Sequence, residues 1–165
     1  MTKKIEVSVI MGSDSDLPVM KDAVETLKKF GLSHEVKILS AHRSPDDVSK
    51  FAKGARKRGI KVIIAGAGGA AHLAGVVASL TTVPVIGVPM ESKSLKGIDS
   101  LFSTVQMPSG IPVATMSIGS AGAKNAGILA AQILAVANEK LEDKLDSHKE
   151  SLVSSVRKKN SNLKL

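Results

Sequence analysis

Short apolar runs and longer stretches of helical spacing take turns along this chain. Ile5 to Met11, interrupted only by Glu6 and Ser8, predicts a first strand. After Gly12-Ser13-Asp14-Ser15-Asp16, the apolar residues Met20, Ala23, Val24 and Leu27 return every three or four positions. That spacing predicts a helix, capped by Ser15 or Asp16 and stopped by Gly31. His34 to Leu39 predicts a second strand. Pro45, Asp46 and Asp47 open a second helix, with Val48, Phe51, Ala52 and Ala55 inward and Gly59 at its end. The third unit carries the most glycine: the run Val62 to Ala65, glycine at 66, 68 and 69, then Leu73, Val76, Val77 and Leu80 at helical spacing. Val83 to Val88 predicts a fourth strand, Ile98 to Val105 a short helix, Val113 to Ser117 a fifth strand and Ala121 to Val136 a long Ala-rich helix. A last helix, Glu139 to Val156, is charged on most faces, so it lies on the surface or packs on a neighbour. Strands alternating with helices predict a parallel sheet covered on both faces and joined by right-handed crossovers. Residues 1–156 read as one domain, and the basic end, 157–165, as a frayed, disordered tail.

Composition narrows the function. A chain of 165 residues suits one domain with a sizeable core. There is no Trp or Tyr, so the core is built from Val, Ile, Leu, Ala and Met, and base stacking has almost no platform. No nucleic-acid partner is expected. The absence of cysteine removes disulfides and thiolate zinc sites. No apolar run approaches a membrane span, and the charged start followed by a run broken at Glu6 does not resemble a signal peptide. A cytoplasmic protein with no membrane partner is expected. The net charge of +8 is unevenly placed. Residues 61–138 hold only 4 basic and 2 acidic side chains, so most of that segment is expected to be buried in the fold or against other subunits. Residues 139–150 hold 3 and 5, and residues 151–165 hold 4 and none.

In an open parallel sheet, the loops leaving the carboxyl ends of the strands converge on one crevice. Three such loops carry reactive groups here: Ser13, Ser15 and Asp16; Ser40, His42 and Arg43; Gly66 to His72. They offer hydroxyls, glycine N–H groups and a guanidinium for a phosphate, a carboxylate for sugar hydroxyls, and two imidazoles for proton transfer. That set suits a phosphorylated sugar or nucleotide carrying an ionisable ring. Each feature also has a structural reading: a capping loop for Ser13 to Asp16, a tight turn for the glycines, a satisfied core histidine for His72, a surface charge for Arg43. A metal held by Asp16, His42 and His72 is a further alternative. His34 and His148 read as structural, and Arg56-Lys57-Arg58 as a solvated helix end. Met20, Met90, Met107 and Met116 read as packing, with Met107 also placed to line a pocket.

Five motifs in one order remove much of that ambiguity. Gly12-Ser13-Asp14-Ser15-Asp16, Ser40-Ala41-His42-Arg43-Ser44-Pro45, Gly66 to Leu73, Asp99-Ser100-Leu101 and Gln106 to Thr115 together resemble the PurE family, the N5-carboxyaminoimidazole ribonucleotide mutases of purine biosynthesis. The resemblance covers residues 5–137. It implies a flavodoxin-like three-layer α/β/α sandwich with a parallel five-stranded sheet, and a homo-octamer with active sites between subunits. It implies movement of a carboxylate from the exocyclic nitrogen of an imidazole ribonucleotide to ring carbon C4, with no ATP, metal or organic cofactor. Ser15, Ser40 and Arg43 would hold the 5′-phosphate, Asp16 the ribose, and Ser13 would line the site. His42 would transfer the proton. The glycine loop, with Gly68, Gly69, Ala70 and Leu73, would enclose the carboxylate beside His72. The family's carboxylases, which use free CO2, resemble the chain less: they tend to carry Lys in place of Arg43 and to lack the Gly-Gly-Ala-Ala-His loop. A module that only binds a mononucleotide is the non-enzymatic alternative. Ala74 and Val76 stand where the family usually has Pro and Met, which implies a less rigid end to the loop.

Overall fold

The computed structural model describes residues 4–163. In chain order the elements are β1 (Val7–Met11), α1 (Leu17–Phe30), β2 (His34–Ile38), α2 (Pro45–Arg58), β3 (Val62–Ala67), α3 (Leu73–Leu80), β4 (Val85–Pro89), α4 (Ile98–Val105), β5 (Ala114–Thr115), α5 (Ser120–Ala135) and α6 (Glu139–Ser161). The five strands form one parallel sheet in the order β2-β1-β3-β4-β5. This is the three-layer flavodoxin-like arrangement. The chain steps outward from β1 to β2, returns to the other side of β1 as β3, and continues away. That reversal leaves a crevice over the carboxyl ends of β1 and β3.

The central strands β1 and β4 are buried along their whole length, and β3 is buried up to Ala67, as parallel strands covered on both faces must be. Alternate residues feed two cores. Val9, Met11, Ile64 and Ile86 face α1, α5 and α6, where Met20, Leu27, Ala126, Ala130, Leu141 and Leu145 meet them. Ile10, Ile63, Ala65 and Val85 face α2 and α3, against Val48, Phe51, Leu73 and Val77. The small residues of α5 let it approach α1 closely: a Cβ at Gly127 would stand 2.7 Å from Thr26 Cβ. Gly31 and Gly59 end α1 and α2 in the left-handed conformation, at φ 75° and 87°, as their positions predict.

Three expectations are corrected. Asp16 takes the N-cap position of α1 but makes no side-chain capping bond there; the side-chain cap is Ser13's, at the start of a short 3₁₀ turn, Asp14–Asp16, that leads into α1. The fifth strand keeps only Ala114 and Thr115 in the ladder. Helix α6 runs through Ser161, so Arg157, Lys158 and Lys159 are helical rather than part of a disordered tail; residues 164–165 lie outside the described residues. The charge-poor segment is only partly buried within this copy. On α4, Ile98, Phe102 and Val105 form one exposed stripe, 47%, 56% and 47% accessible, next to Leu95 at 57%.

Candidate active site

The loops that leave β1, β2, β3 and β4 are tied together beyond the strand ends. Gly12 N donates to Gly66 O (3.1 Å), Leu39 N to Met11 O (2.8 Å) and Met90 N to Ala67 O (2.9 Å). Between them lies a cleft of about 450 Å³, within the range of small-ligand sites.

The loop after β1 contributes Ser13, Ser15 and Asp16. Ser13 and Asp16 close a reciprocal cap: Ser13 Oγ accepts from Ser15 N (3.3 Å), and Asp16 Oδ2 accepts from Ser13 N (3.2 Å). Ser13 Oγ also donates to Asp14 Oδ1 (3.0 Å). Burial raises the Asp16 carboxyl above its ordinary range, against the pull of the Ser13 N–H and the Arg43 charge.

The loop after β2 contributes Ser40, His42 and Arg43. Ser40 Oγ accepts from Arg43 N (3.2 Å) and Nε (3.4 Å), and Arg43 Nη2 donates to Gly12 O (3.0 Å). One guanidinium therefore spans the first two loops. Ser44 braces the turn, donating from Oγ to Ser40 O (3.2 Å).

The loop after β3 contributes Gly68, Ala70, His72 and Leu73, together with Ala67 and Ala71. Ala71 N donates to Gly69 O (2.8 Å) and His72 N to Ala70 O (2.6 Å), so two tight three-residue turns follow one another. Gly69 takes φ 62°, the left-handed conformation this path needs. The amides of residues 71 and 72 are thereby used inside the loop, which counts against a phosphate cradle and in favour of a wall. Gly66 has another purpose: a Cβ there would stand 2.6 Å from Met20 Sδ and 2.7 Å from Met90 Cε.

The turns deliver His72 to His42. His42 Nε2 and His72 Nδ1 lie 2.7 Å apart, one nitrogen donating and the other accepting, with the rings edge to face at 4.9 Å. Both residues are exposed to the cleft side of the surface rather than buried in a core, so the core reading of His72 is set aside. No group of three His, Cys, Asp or Glu placed to hold a metal occurs among the described residues. No helix among them is long and apolar enough to cross a membrane.

The cleft thus gathers ten of the eleven candidate residues; Gly69 shapes the loop without lining it. Two lining residues were not assigned to the site from the sequence: Met90, which read as packing, and Glu91. They directly follow β4, so the strand-end rule applied to that strand as well would have found them.

Comparison with known proteins places the chain among relatives of one family. The family profile described as AIR carboxylase matches residues 6–155. The N5-carboxyaminoimidazole ribonucleotide mutase of Thermotoga maritima is 58% identical over 153 residues, spanning 93% of this chain and 88% of the relative. The enzyme of the same name from Bacillus subtilis is 58% identical over 150 residues, spanning 91% and 93%. The crystal structure of Treponema denticola PurE superposes with a TM-score of 0.87 at 31% identity, covering 96% of this chain and 98% of that one.

Proposed function

We infer that this chain, which belongs to the AIR carboxylase family, catalyses the N5-carboxyaminoimidazole ribonucleotide mutase reaction of purine biosynthesis with the residues of the cleft. The observation that carries the inference is the His42–His72 pair, set in the same cleft as Arg43 and the serines.

Arg43 with Ser15 and Ser40 binds the 5′-phosphate, and Ser13 and Asp16 take the ribose end. The guanidinium already bridges the first two loops, so a phosphate between them meets charge and hydroxyls from both sides. This anchors the imidazole ring by the glycine loop. In the first step the bond between the exocyclic nitrogen and the carboxylate carbon breaks. Its electron pair returns to nitrogen, which takes a proton from the imidazole pair, and CO2 and aminoimidazole ribonucleotide result. In the second step C4 attacks the CO2 carbon. C4 then loses its hydrogen to the same imidazole pair, restoring the proton given up at the start. An imidazole can act in both directions near neutral pH. Gly68, Ala70 and Ala71 wall the space with little polarity, which keeps CO2 from water, and holding both fragments in one cleft supplies an entropic advantage. His42 is the proton-transfer residue; His72 sets the orientation and proton position of His42 while lining the carboxylate pocket.

We also propose that the protein works in the cytoplasm as a homo-octamer with its sites between subunits. The exposed Ile98-Phe102-Val105 stripe supports assembly, because a monomer would leave it in water. Phe102→Glu should reduce the sedimentation coefficient to that of a smaller species; an unchanged value removes this face from the interface.

The functional test supplies N5-carboxyaminoimidazole ribonucleotide without bicarbonate. Conversion to the C4-carboxylated nucleotide is expected. Product formed only from aminoimidazole ribonucleotide and CO2 would identify a carboxylase, and binding without turnover a nucleotide-binding module.

A further inference from the structure

At the end of the sheet opposite the cleft, α2 and α3 finish side by side. Helix α2 closes in the basic turn Arg56, Lys57 and Arg58, which complements the helix dipole. The cations at this end fall into two groups. Arg58 and Lys61 are neutralised. Arg58 Nη2 lies 2.9 Å from Glu35 Oε1, with its guanidinium over the Phe51 ring, and Lys61 Nζ lies 2.9 Å from Glu6 Oε1. Lys53, Arg56 and Lys57 form no ion pair with any described residue. They stand at positions i, i+3 and i+4 of α2, so they share one helix face. Dipole compensation acts within the last turn and does not account for Lys53.

That face borders a cavity of about 690 Å³, whose other side is residues 79–82, the end of α3 and the connection after it. No acidic residue lines it. Thr82 Oγ1 accepts from Arg56 Nη1 (3.0 Å) and Thr81 Oγ1 accepts from Val83 N (3.2 Å). Neither hydroxyl gives its own hydrogen to another described residue. Ser79 Oγ, by contrast, is spent on Val76 O (2.8 Å). The cavity therefore presents donors: two ammonium groups, the rest of a guanidinium and two O–H groups. The carbonyl ends of α2 and α3 oppose an anion with roughly half an elementary charge each, so three cations leave the balance positive.

We propose that this cavity binds an oligophosphate, a chain of two or three phosphate groups, free or carried by a nucleotide. A single phosphate ester brings a charge of about −1.5 to −2 near neutral pH and leaves a cation unmatched. A chain of phosphates spreads more charge along a line, as the cations are spread along α2. No Trp or Tyr offers a stacking platform for a base, so the phosphate chain is the part the site reads. The bordering helices lead back to the cleft: α2 starts directly after residues 40–44, and α3 directly after His72. An occupant thus ties together the far ends of the two helices that follow the histidine pair. The cavity lies about 15–20 Å down α2 from the cleft and shares no lining residue with it, so its failure leaves the proposed function untouched.

The test is calorimetric titration of tripolyphosphate into the full-length protein at low salt, without divalent cations. Saturable binding is expected, with an affinity that falls as salt rises. Lys53→Gln together with Lys57→Gln should weaken it by at least about tenfold, while Lys53→Arg together with Lys57→Arg retains it. Both pairs change exposed side chains outside the two cores, so both should fold. Arg43→Gln, in the cleft, should leave this binding unchanged, and orthophosphate should bind more weakly than tripolyphosphate. ATP binding tighter than tripolyphosphate would identify a nucleotide as the source of the chain, and equal affinity the chain alone; either result upholds the site. Four results overturn it: no tripolyphosphate binding by the parent; equal binding by the Gln pair; orthophosphate binding as tight as tripolyphosphate; or loss of binding in Arg43→Gln. The last would put the anion in the cleft and leave the reading of the cleft standing.

Discussion

Replacing His42 by Asn removes a side chain that can both give and take a proton while leaving a polar group of similar reach. The substitution should leave the fold intact, because His42 is exposed and belongs to neither hydrophobic core. Its contact with His72 at 2.7 Å is lost, but Arg43, Ser15 and Ser40 are untouched, so product-nucleotide binding should persist. Turnover should fall by about 10²–10⁴-fold, the usual contribution of a general acid or base. At 1.36 kcal/mol per decade that is a barrier increase of about 3–5 kcal/mol. His72→Asn is a smaller perturbation in this scheme. It removes a hydrogen bond that orients His42, worth about 0.5–1.5 kcal/mol, or about 2- to 10-fold in rate. The two changes should not add: with His42 already Asn, there is no ring left to orient, and the second substitution should cost little more. The assay is steady-state conversion at saturating substrate for the four members of the cycle, with nucleotide affinity by calorimetry. Near-normal turnover in His42→Asn, with none in His72→Asn, would reverse the two roles. Fully additive losses would show that the rings act separately.

Arg43→Lys should weaken nucleotide binding by about 1–3 kcal/mol, because an ammonium cannot reach the phosphate, Gly12 O and Ser40 Oγ with one planar fork; calorimetric affinity checks it. Asp16→Asn tests the raised carboxyl. A group raised in the fold lends stability below its unfolded value, near 3.8, and loses that contribution as pH rises through the folded value. The Asn variant should therefore gain in denaturant midpoint over the parent at pH 7, and the gain should vanish as pH falls through the usual carboxylate range, while nucleotide affinity drops. Gly127→Ala should lower stability by about 1–3 kcal/mol by overpacking α5 on α1, where a Cβ would meet Thr26 Cβ at 2.7 Å; thermal denaturation reads it, and an unchanged midpoint would mean the helices separate freely.

Much of this architecture is legible in the sequence, because hydrophobic spacing and punctuation agree. Gly31, Pro45 and Gly59 each stand where the helices α1 and α2 end or begin. The site loops are legible because they follow strands. Their pairing is not: His42 and His72 are thirty positions apart, and their contact depends on β2 and β3 flanking β1 in register and on the double turn from Gly69 to His72. The capping role of Ser13 was hidden by a run of five residues in which three others can cap. Helix α6 was cut short because its outer half has no face buried in its own copy, so charge there read as fraying. The brevity of β5 has no sequence signal either, since Val113 to Ser117 is as apolar as a strand in a full ladder.

Strand β2 sits at the sheet margin with β1 as its one ladder neighbour, and Val36 and Ile38 on it are 43% and 57% exposed. As an edge strand β2 can open locally more easily than the buried central strands, and Ser40, His42 and Arg43, on the loop that leaves it, move with it. In the free protein its tip is clasped by the Arg43 bond to Gly12 O and the contact of His42 with His72. A nucleotide whose phosphate is gripped from both sides, as proposed above, would add another clasp across the same seam. Amide hydrogen exchange should accordingly slow through β2 and α2 on ligand binding far more than through β3 or α5. Supply of substrate would then govern how long the enzyme lasts against proteolysis as well as how fast it works, because the residues proposed to recognise the nucleotide are also the rivets of an edge strand.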